Sequence, residues 1–508
     1  MKKLNLIITL IFFISIGLSA QTPEDALRFS RLNYATGNAK STSMAGSIGA
    51  LGANFTSLSI NPAGIGVYRN SDLTFTPSIV FSTSSADYLE SGRRNDETIN
   101  FNIGSFGAIF AIPTSGAVAQ SGFKYFQFGL GVNRTNNFKR DVLMKGFNET
   151  SSITTQWIDD ANYNNPTFYI DDEGYILTDK LNLDPFTTGL AFNNDILFID
   201  YDNTGNLSFF SDMEGGQVDQ TIRMLTRGSM NEFVISGGFN YSDKLYVGAT
   251  LGVPYFSYHE QYIITEKESD TVAIPNPFFQ SMTYSTNLYT SGSGVNFKIG
   301  AIYKPIKWLR VGLALHTPTR YNMDDDYSAE ISSYIDLDGG GNYTYAANNA
   351  FGTYEYVLRT PLKLIGSLGF VIGQNGSINV DYTFQDYSKA KFKDPAYSYD
   401  YTNELISNNY GVGHNIAVGT EWIFGILRVR AGYAYETSPY KSKQINSGGE
   451  RMTIGAGLGL SFGGFYTDFG YAFVTEDVDF YPYDRYYVEA SKNVYNTNQF
   501  QLTFGFRF

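Results

Sequence analysis

Residues 499–508 read Gln-Phe-Gln-Leu-Thr-Phe-Gly-Phe-Arg-Phe, and their alternation decides the fold. In an extended strand successive side chains point to opposite faces. Phe500, Leu502, Phe504, Phe506 and Phe508 therefore share one face, and Gln501, Thr503, Gly505 and Arg507 share the other. On the edge of a soluble sheet such a row would be an aggregation site. A membrane-spanning β-barrel requires it, with apolar side chains toward lipid and polar ones toward a wet interior. The aromatic face runs out to Phe508, and this is the strand that barrel-insertion machinery is expected to engage.

The same period of two recurs along the chain. Phe126, Phe128, Leu130 and Val132 alternate with Gln127, Gly129, Gly131 and Asn133. Leu245 to Val253, Leu309 to Leu315, Ile378 to Phe384, Met452 to Phe462 and Phe465 to Phe473 repeat the pattern. Each run is close to the ~10 residues that cross a bilayer at a tilt. Counted from 71–84, the breaks alternate in length. Long ones fall near 85–98, 139–230, 266–279, 325–352, 388–403, 439–447 and 477–491. Short ones fall near 113–124, 241–244, 304–308, 373–376, 423–426 and 463–464. Short periplasmic turns and long outer loops are the rhythm of outer-membrane barrels. The expected fold is all-β, a transmembrane antiparallel β-barrel of about fourteen strands. A propeller or a pair of sandwiches also supplies many short strands, but neither produces this rhythm.

The beginning of the chain agrees. Met1-Lys2-Lys3, the apolar run Leu4 to Leu18 and Ser19-Ala20 predict a signal peptide over 1–20. The run is shorter than the ~20 residues of a spanning helix. With no cysteine, lipoprotein processing, disulfides and thiolate metal sites are excluded. The 40 Phe and 39 Tyr suit aromatic girdles, and the 51 Gly suit a crowded lumen. A net charge of −13 argues against nucleic acid and against an acidic membrane surface as partners. The expected location is the outer membrane of a Gram-negative cell.

Candidate chemistry is sparse. His259, His316 and His414 fall on separate strands without Ser or Asp patterning, and His316 is expected in the lumen near an outer loop. No Gly-x-Ser-x-Gly, Walker loop or His-Glu-x-x-His occurs, so no enzyme, catalytic residue or cofactor is expected. The run Gly455-Ala-Gly457-Leu-Gly459 sits mid-strand and reads as lumen packing. Asp200-Tyr-Asp202-Asn-Thr-Gly205 and Asp336-Leu-Asp338 before Gly339 supply oxygen ligands but lack the closing Glu of a calcium loop. They read as Asx turns, so no metal is expected. Arg310, Lys363, Asp381, Glu421, Arg428, Arg430, Asp468 and Arg507 all fall on the inner parity. There they pair with one another or with whatever fills the lumen.

About fourteen strands enclose a lumen that must be open or plugged. Residues 21–70 are too irregular for wall and form the candidate plug, with the barrel over 71–508. This segment carries Met44-Ala45-Gly46, Leu51-Gly52-Ala53-Asn54 and Asn61-Pro62-Ala63-Gly64 followed by Gly66. It resembles the N-terminal hatch of the FadL/TodX family of outer-membrane hydrophobic-compound transporters. The resemblance implies a hatch inside the barrel, with Asn61, Pro62 and Ala63 shaping a turn and Gly64 and Gly66 approaching the wall. It implies transport of small hydrophobic compounds, fatty-acid-like or aromatic, with outer-membrane lipid as the other partner. It also implies lateral release through a kinked third strand, 124–138, where Gly129, Gly131 and Asn133 are the candidate residues. The long outer loop 139–230 departs from the family pattern and suggests a second reading. In that reading the chain is a non-transporting barrel that docks proteins in an outer-membrane secretion or assembly complex.

Overall fold

Each alternating run becomes a wall strand in the computed structural model, which describes residues 21–32, 36–165, 167–202, 205–213, 215–269, 278–336 and 344–508. The expected signal peptide, 1–20, lies outside the described residues. The wall strands are β1 (Asp72–Asp87), β2 (Arg94–Pro113), β3 (Phe123–Asn137), β4 (Val218–Tyr241), β5 (Leu245–Glu268) and β6 (Phe279–Ile306). Three broken strands follow: β7 (Leu309–His316 and Arg320–Ile335), β8 (Thr344–Arg359 and Lys363–Ile372) and β9 (Gly376–Asp386 and Lys391–Lys393). The circuit ends with β10 (Val412–Phe424), β11 (Leu427–Glu436), β12 (Arg451–Phe462), β13 (Phe465–Phe480) and β14 (Ser491–Arg507).

Neighbouring strands are antiparallel, and β14 returns to β1 with Leu73 opposite Phe506 and Ile79 opposite Phe500. Ser71 and Phe508 finish the seam, each amide donating to the other's carbonyl at 3.1 Å. Closure leaves no free edge at this seam, the condition for a sheet to sit in hydrocarbon. The breaks in β7 and β8 lie side by side at Pro318 and Pro361, which cannot donate to the ladder. Thr319 and Thr360 stitch them together: the Thr319 amide donates to Thr360 Oγ1 and the Thr360 amide to the Thr319 carbonyl, both at 2.9 Å.

Side-chain parity follows the sequence. Phe106, Leu313, Leu458 and Phe504 are exposed on the outside, whereas Gln127, Asp381, Arg430 and Gln501 are buried on the inside. The short turns 242–244, 307–308, 373–375, 425–426 and 463–464 and the small helix Gly116–Gln120 share the end that holds Phe508.

Strand length departs from expectation at the other end. β7 and β8 continue to Ile335 and from Thr344, through most of the loop expected at 325–352. Asp324, Asp325, Asp326 and Glu330 put polar residues on both faces there, as a strand standing above lipid permits. The excursion expected over 139–230 is shorter as well. It opens with a strand, Arg140–Asn148, paired to Val218–Thr226, so the wall resumes at Val218. Residues 149–217 form a cap with helix Ile153–Asn164 and hairpin Phe198–Tyr201/Leu207–Phe210. Trp157, Ile158, Leu190 and Phe209 pack there against Tyr88, Ile264, Tyr284, Ile331 and Tyr483 from other loops and strand tips. In the first Asp-rich loop, Asp202 Oδ1 accepts from the Asn206 amide at 2.8 Å and closes a hairpin turn. The second, at 338–341, lies outside the described residues.

An arginine on the lipid face at the centre of this wall should destabilise it by ~2–4 kcal/mol. Leu458→Arg is expected to lower the urea-unfolding free energy in vesicles by that amount. An unchanged value would mean that this face does not meet lipid.

Candidate functional site

The segment inside the wall is built from short, individually capped turns. Helix α1 (Pro23–Ser30) starts with proline at its first position, and Asp25 accepts from both the amide and the hydroxyl of Thr22 at 2.8 Å. Helix α2 (Ala39–Ser43) is capped by Asn38 Oδ1, which accepts from the Ser41 amide at 3.0 Å. Helix α3 (Ser57–Ile60) runs into a 3₁₀ turn, Pro62–Val67. Asn61, fully buried, serves both sides of that junction. Its Oδ1 accepts from the Ala63 amide at 3.1 Å, and its Nδ2 donates to the Gly49 carbonyl at 2.7 Å.

Glycines on the inner rows let this backbone touch the wall. A Cβ at Gly300 would run into Asn61 Oδ1, and one at Gly248 into the Pro62 carbonyl. At Gly238 it would meet Ile65, and at Gly66 the wall carbonyl of Phe239 at 2.7 Å. Gly64 faces Ser57 and Gly52 within the hatch itself. On the opposite wall Gly432 and Gly455 receive Met44 and Ser43 in the same way, and Gly470 receives Ala39. The wall glycines among them, on β4, β5, β6, β11, β12 and β13, form a belt against which the hatch backbone lies.

Polar wall residues between the glycines take up the hatch's backbone groups. Asp381 accepts from the amides of Ile48 and Gly49 at 2.9 Å each, and Thr503 Oγ1 from that of Ala39 at 2.9 Å. Gln127 donates to the Tyr68 carbonyl at 2.8 Å, Asn133 to Ser59 Oγ at 3.0 Å and Arg310 to the Leu51 carbonyl at 2.6 Å. His316 Nε2 lies 2.7 Å from the Ile60 carbonyl, so it meets the hatch and not an outer loop. The displacement follows from β7 continuing past Pro318 for another sixteen residues, Arg320–Ile335.

Several inward charges are paired. Lys40 of the hatch reaches Glu421 at 3.1 Å, and Arg430 bridges Glu421 at 2.5 Å and Asp468 at 2.7 Å. Arg31 holds Glu436 at 2.7 Å and Glu476 at 2.5 Å. Arg507 lies over the Tyr466 ring at 4.5 Å, beside Asp72. Arg428 is half-buried and joins no ion pair among the described residues. The Glu232–Lys298 pair, both members buried, was not singled out from the sequence because their residues lie 66 positions apart. Inner parity was the one available signal for it.

Around the outer side of the hatch lie small cavities. One of about 60 Å³ is lined by Phe29, Leu32, Met230, Tyr321, Lys298 and Lys363. Another of about 40 Å³ follows Leu32, Ile60, Asn133 and Ile365. Helix α1 closes the first: Phe29 stacks on Phe256 at 4.3 Å and meets Phe138 and Tyr258 edge-on at 6.0 Å.

The wall beside these cavities is incomplete. Strands β2 and β3 pair only from Ser105–Asn133 down to Pro113–Tyr125. Beyond that point β3 stays with β4, with a register shift between Arg134 and Asn136, and β2 stays with β1, with a shift at Thr76/Pro77. Gly131, at φ +156°, lies just inside the point of divergence, where a Cβ would strike the Phe106 carbonyl and Phe55. A Cβ at Gly129 would lie 3.2 Å from the side chains of Ile65 and Leu58.

With the geometry in place, the comparisons with known proteins are specific. The family model described as Outer membrane protein transport protein (OMPP1/FadL/TodX) matches residues 224–494. No curated protein sequence matches the chain. Among solved structures, a FadL homologue of Pseudomonas aeruginosa is similar at a TM-score of 0.54 and 14% identity, over 93% of this chain and 98% of that one. The toluene transporter TodX of P. putida is similar at 0.53 and 11%, over 94% and 99%. The toluene transporter TbuX of Ralstonia pickettii is similar at 0.50 and 12%, over 94% and 99%. At these identities the structural matches establish a shared fold.

Removing Asn61's side chain strands the buried Gly49 carbonyl and uncaps the turn, at a cost of about 1–3 kcal/mol per orphaned group. Asn61→Ala is expected to speed protease cleavage within 39–67 severalfold while the barrel stays folded. Unchanged cleavage would show that Asn61 does not hold the hatch.

Proposed function

The chain belongs to the outer-membrane transport protein family (OMPP1/FadL/TodX), and from that premise we propose that it carries small hydrophobic compounds from outside into its lumen and releases them sideways between β2 and β3. It is an outer-membrane β-barrel, and its structural neighbours include two toluene transporters. The observation that carries the lateral route is the missing ladder above Ser105 and Asn133, beside cavities that touch the hatch.

The physical logic favours a side exit. An apolar solute gains nothing from a water-filled pore, because the water is what it avoids. A route from lumen to hydrocarbon spares it the aqueous periplasm. The cavities of about 40 and 60 Å³ are smaller than the ~150 Å³ void known to accept benzene. Entry of cargo therefore requires α1 to lift Phe29 out of its aromatic box, or the hatch to shift on its glycine belt. The hatch is attached by hydrogen bonds and ion pairs to many strands and by no covalent link beyond Asn70, so local displacement leaves the wall closed.

Gly129, Gly131 and Asn133 take distinct parts in this reading. Gly131 permits the divergence, Gly129 leaves room for Ile65 and Leu58, and Asn133 ties the edge of the opening to Ser59 of the hatch. Cargo identity within the apolar class, fatty-acid-like or aromatic, depends on how far the hatch moves.

Arg134 Nε lies 3.3 Å from the Ile103 carbonyl across the opening. Ile103→Cys with Arg134→Cys, joined by a reducible bis-thiol cross-linker, is expected to lose uptake of a toluene-like probe and to regain it on reduction. Full uptake by the cross-linked protein would rule out this exit.

A further inference from the structure

The opening between β2 and β3 has a polar, cationic back wall that an apolar cargo has no use for. A cavity of about 70 Å³ lies behind it, lined among others by Asn102, Arg134, Lys139, Arg140, Arg451 and Glu476. Its one carboxylate is already committed: Glu476 is held by Arg31 at 2.5 Å and by Arg451 at 3.3 Å. Arg451 also reaches Glu436 at 3.4 Å, so these two arginines and two glutamates balance. The nearby Asp141 pairs with Arg227, and Asp96 lies 4.0 Å from Arg223. Arg134, Lys139 and Arg140 form no ion pair among the described residues. Arg134 and Lys139 donate to the carbonyls of Ile103 and Ile99, at 3.3 and 2.7 Å, and Arg140 lies 3.7 Å over the Tyr495 ring. Three positive charges are thus left over at the mouth of one cavity.

Their depth is as informative as their sign. On the outer face of β1 and β2 the apolar row ends at the pair Phe81–Ile99, and the next outward pairs are Thr83–Glu97 and Ser85–Asn95. Lys139 is bonded to the carbonyl of Ile99 itself, so it lies where hydrocarbon gives way to head groups, while Arg134 reaches down the gap to the carbonyl of Ile103. Below Lys139, Phe101 and Ile103, 72% and 50% exposed, face lipid along a strand edge no longer paired to β3. Open sheet edges are not tolerated in hydrocarbon unless something satisfies them. Guanidinium groups match the oxygens of phosphate and carboxylate, and long cationic side chains reach naturally to this interface.

We propose that this cavity binds the anionic head, phosphate or carboxylate, of an amphiphile whose tail lies in the outer leaflet along Ile99, Phe101 and Ile103. The net charge of −13 conceals the site because the surplus cations are gathered at one place in an acidic chain. The inference needs the gap but not passage of cargo through it. A binding measurement therefore stands or falls separately from the uptake assay of the cross-linked barrel.

The test is native mass spectrometry of the full barrel in detergent, titrated with dioleoyl phosphatidylglycerol or dioleoyl phosphatidylcholine. The wild type should retain one phosphatidylglycerol at least tenfold more tightly than phosphatidylcholine. Lys139→Gln with Arg140→Gln should bring the two lipids within twofold of each other. Lys124→Gln with Lys307→Gln, at the opposite end of the barrel, should leave the preference intact, and resistance to detergent unfolding should confirm that both variants are folded. Equal retention of the two lipids by the wild type, or an unchanged preference in the first variant, overturns the proposal. Oleate added to the lipid-bound form separates the sources. Displacement assigns the site to carboxylate-bearing cargo as well as to lipid, and failure to displace assigns it to phosphorylated membrane lipid alone.

Discussion

A peptide group in hydrocarbon must find its hydrogen-bond partner within the protein, and the architecture of this chain follows from that requirement. Fourteen strands satisfy it by closing on themselves, with Ser71 and Phe508 fastening the seam. Closure at this strand number leaves an interior too wide for wall side chains to fill. Residues 36–70 occupy it, and they meet the same requirement by other means. Their backbone is too irregular for a ladder, so Asp381, Thr503, Gln127 and Arg310 act as its partners one group at a time.

The belt of glycines makes that exchange possible. Wall side chains long enough to bond with the hatch alternate with positions that have no side chain, and the hatch backbone lies in the resulting trough. Buried ion pairs between hatch and wall, such as Glu421 with Lys40 and Arg430, carry a desolvation cost that mutual pairing offsets. Together these features seat residues 36–70 closely against the wall while joining them to it mostly by exchangeable polar contacts.

The wall was legible in the sequence because lipid and lumen impose opposite chemistry on successive residues. Phe504 and Thr503 cannot trade places, and a period of two results. The rhythm of long and short connections gave both strand number and orientation. Above the membrane that contrast disappears, so Asp325 and Asp326 read as loop although they continue β7, and Val218 to Met230 read as part of the excursion although they belong to β4. Inside the lumen the letters were visible but their use was not. Gly131 in a polar row reads the same whether it permits a bend, admits Phe55 or does both. Pairs such as Glu232 with Lys298, and the divergence of β2 from β3, depend on which strands become neighbours, and one strand's pattern does not carry that information.

The cap bears on the register of the strand tips. Its longest helix, Ile153–Asn164, buries Trp157 and Ile158 in a cluster that joins Leu190 and Phe209 of the cap to Ile264, Tyr284 and Tyr483 from distant parts of the chain. The described part of the cap thus shares one apolar core with the strand tips, so losing the register of those tips would uncover Trp157 and Ile158 as well.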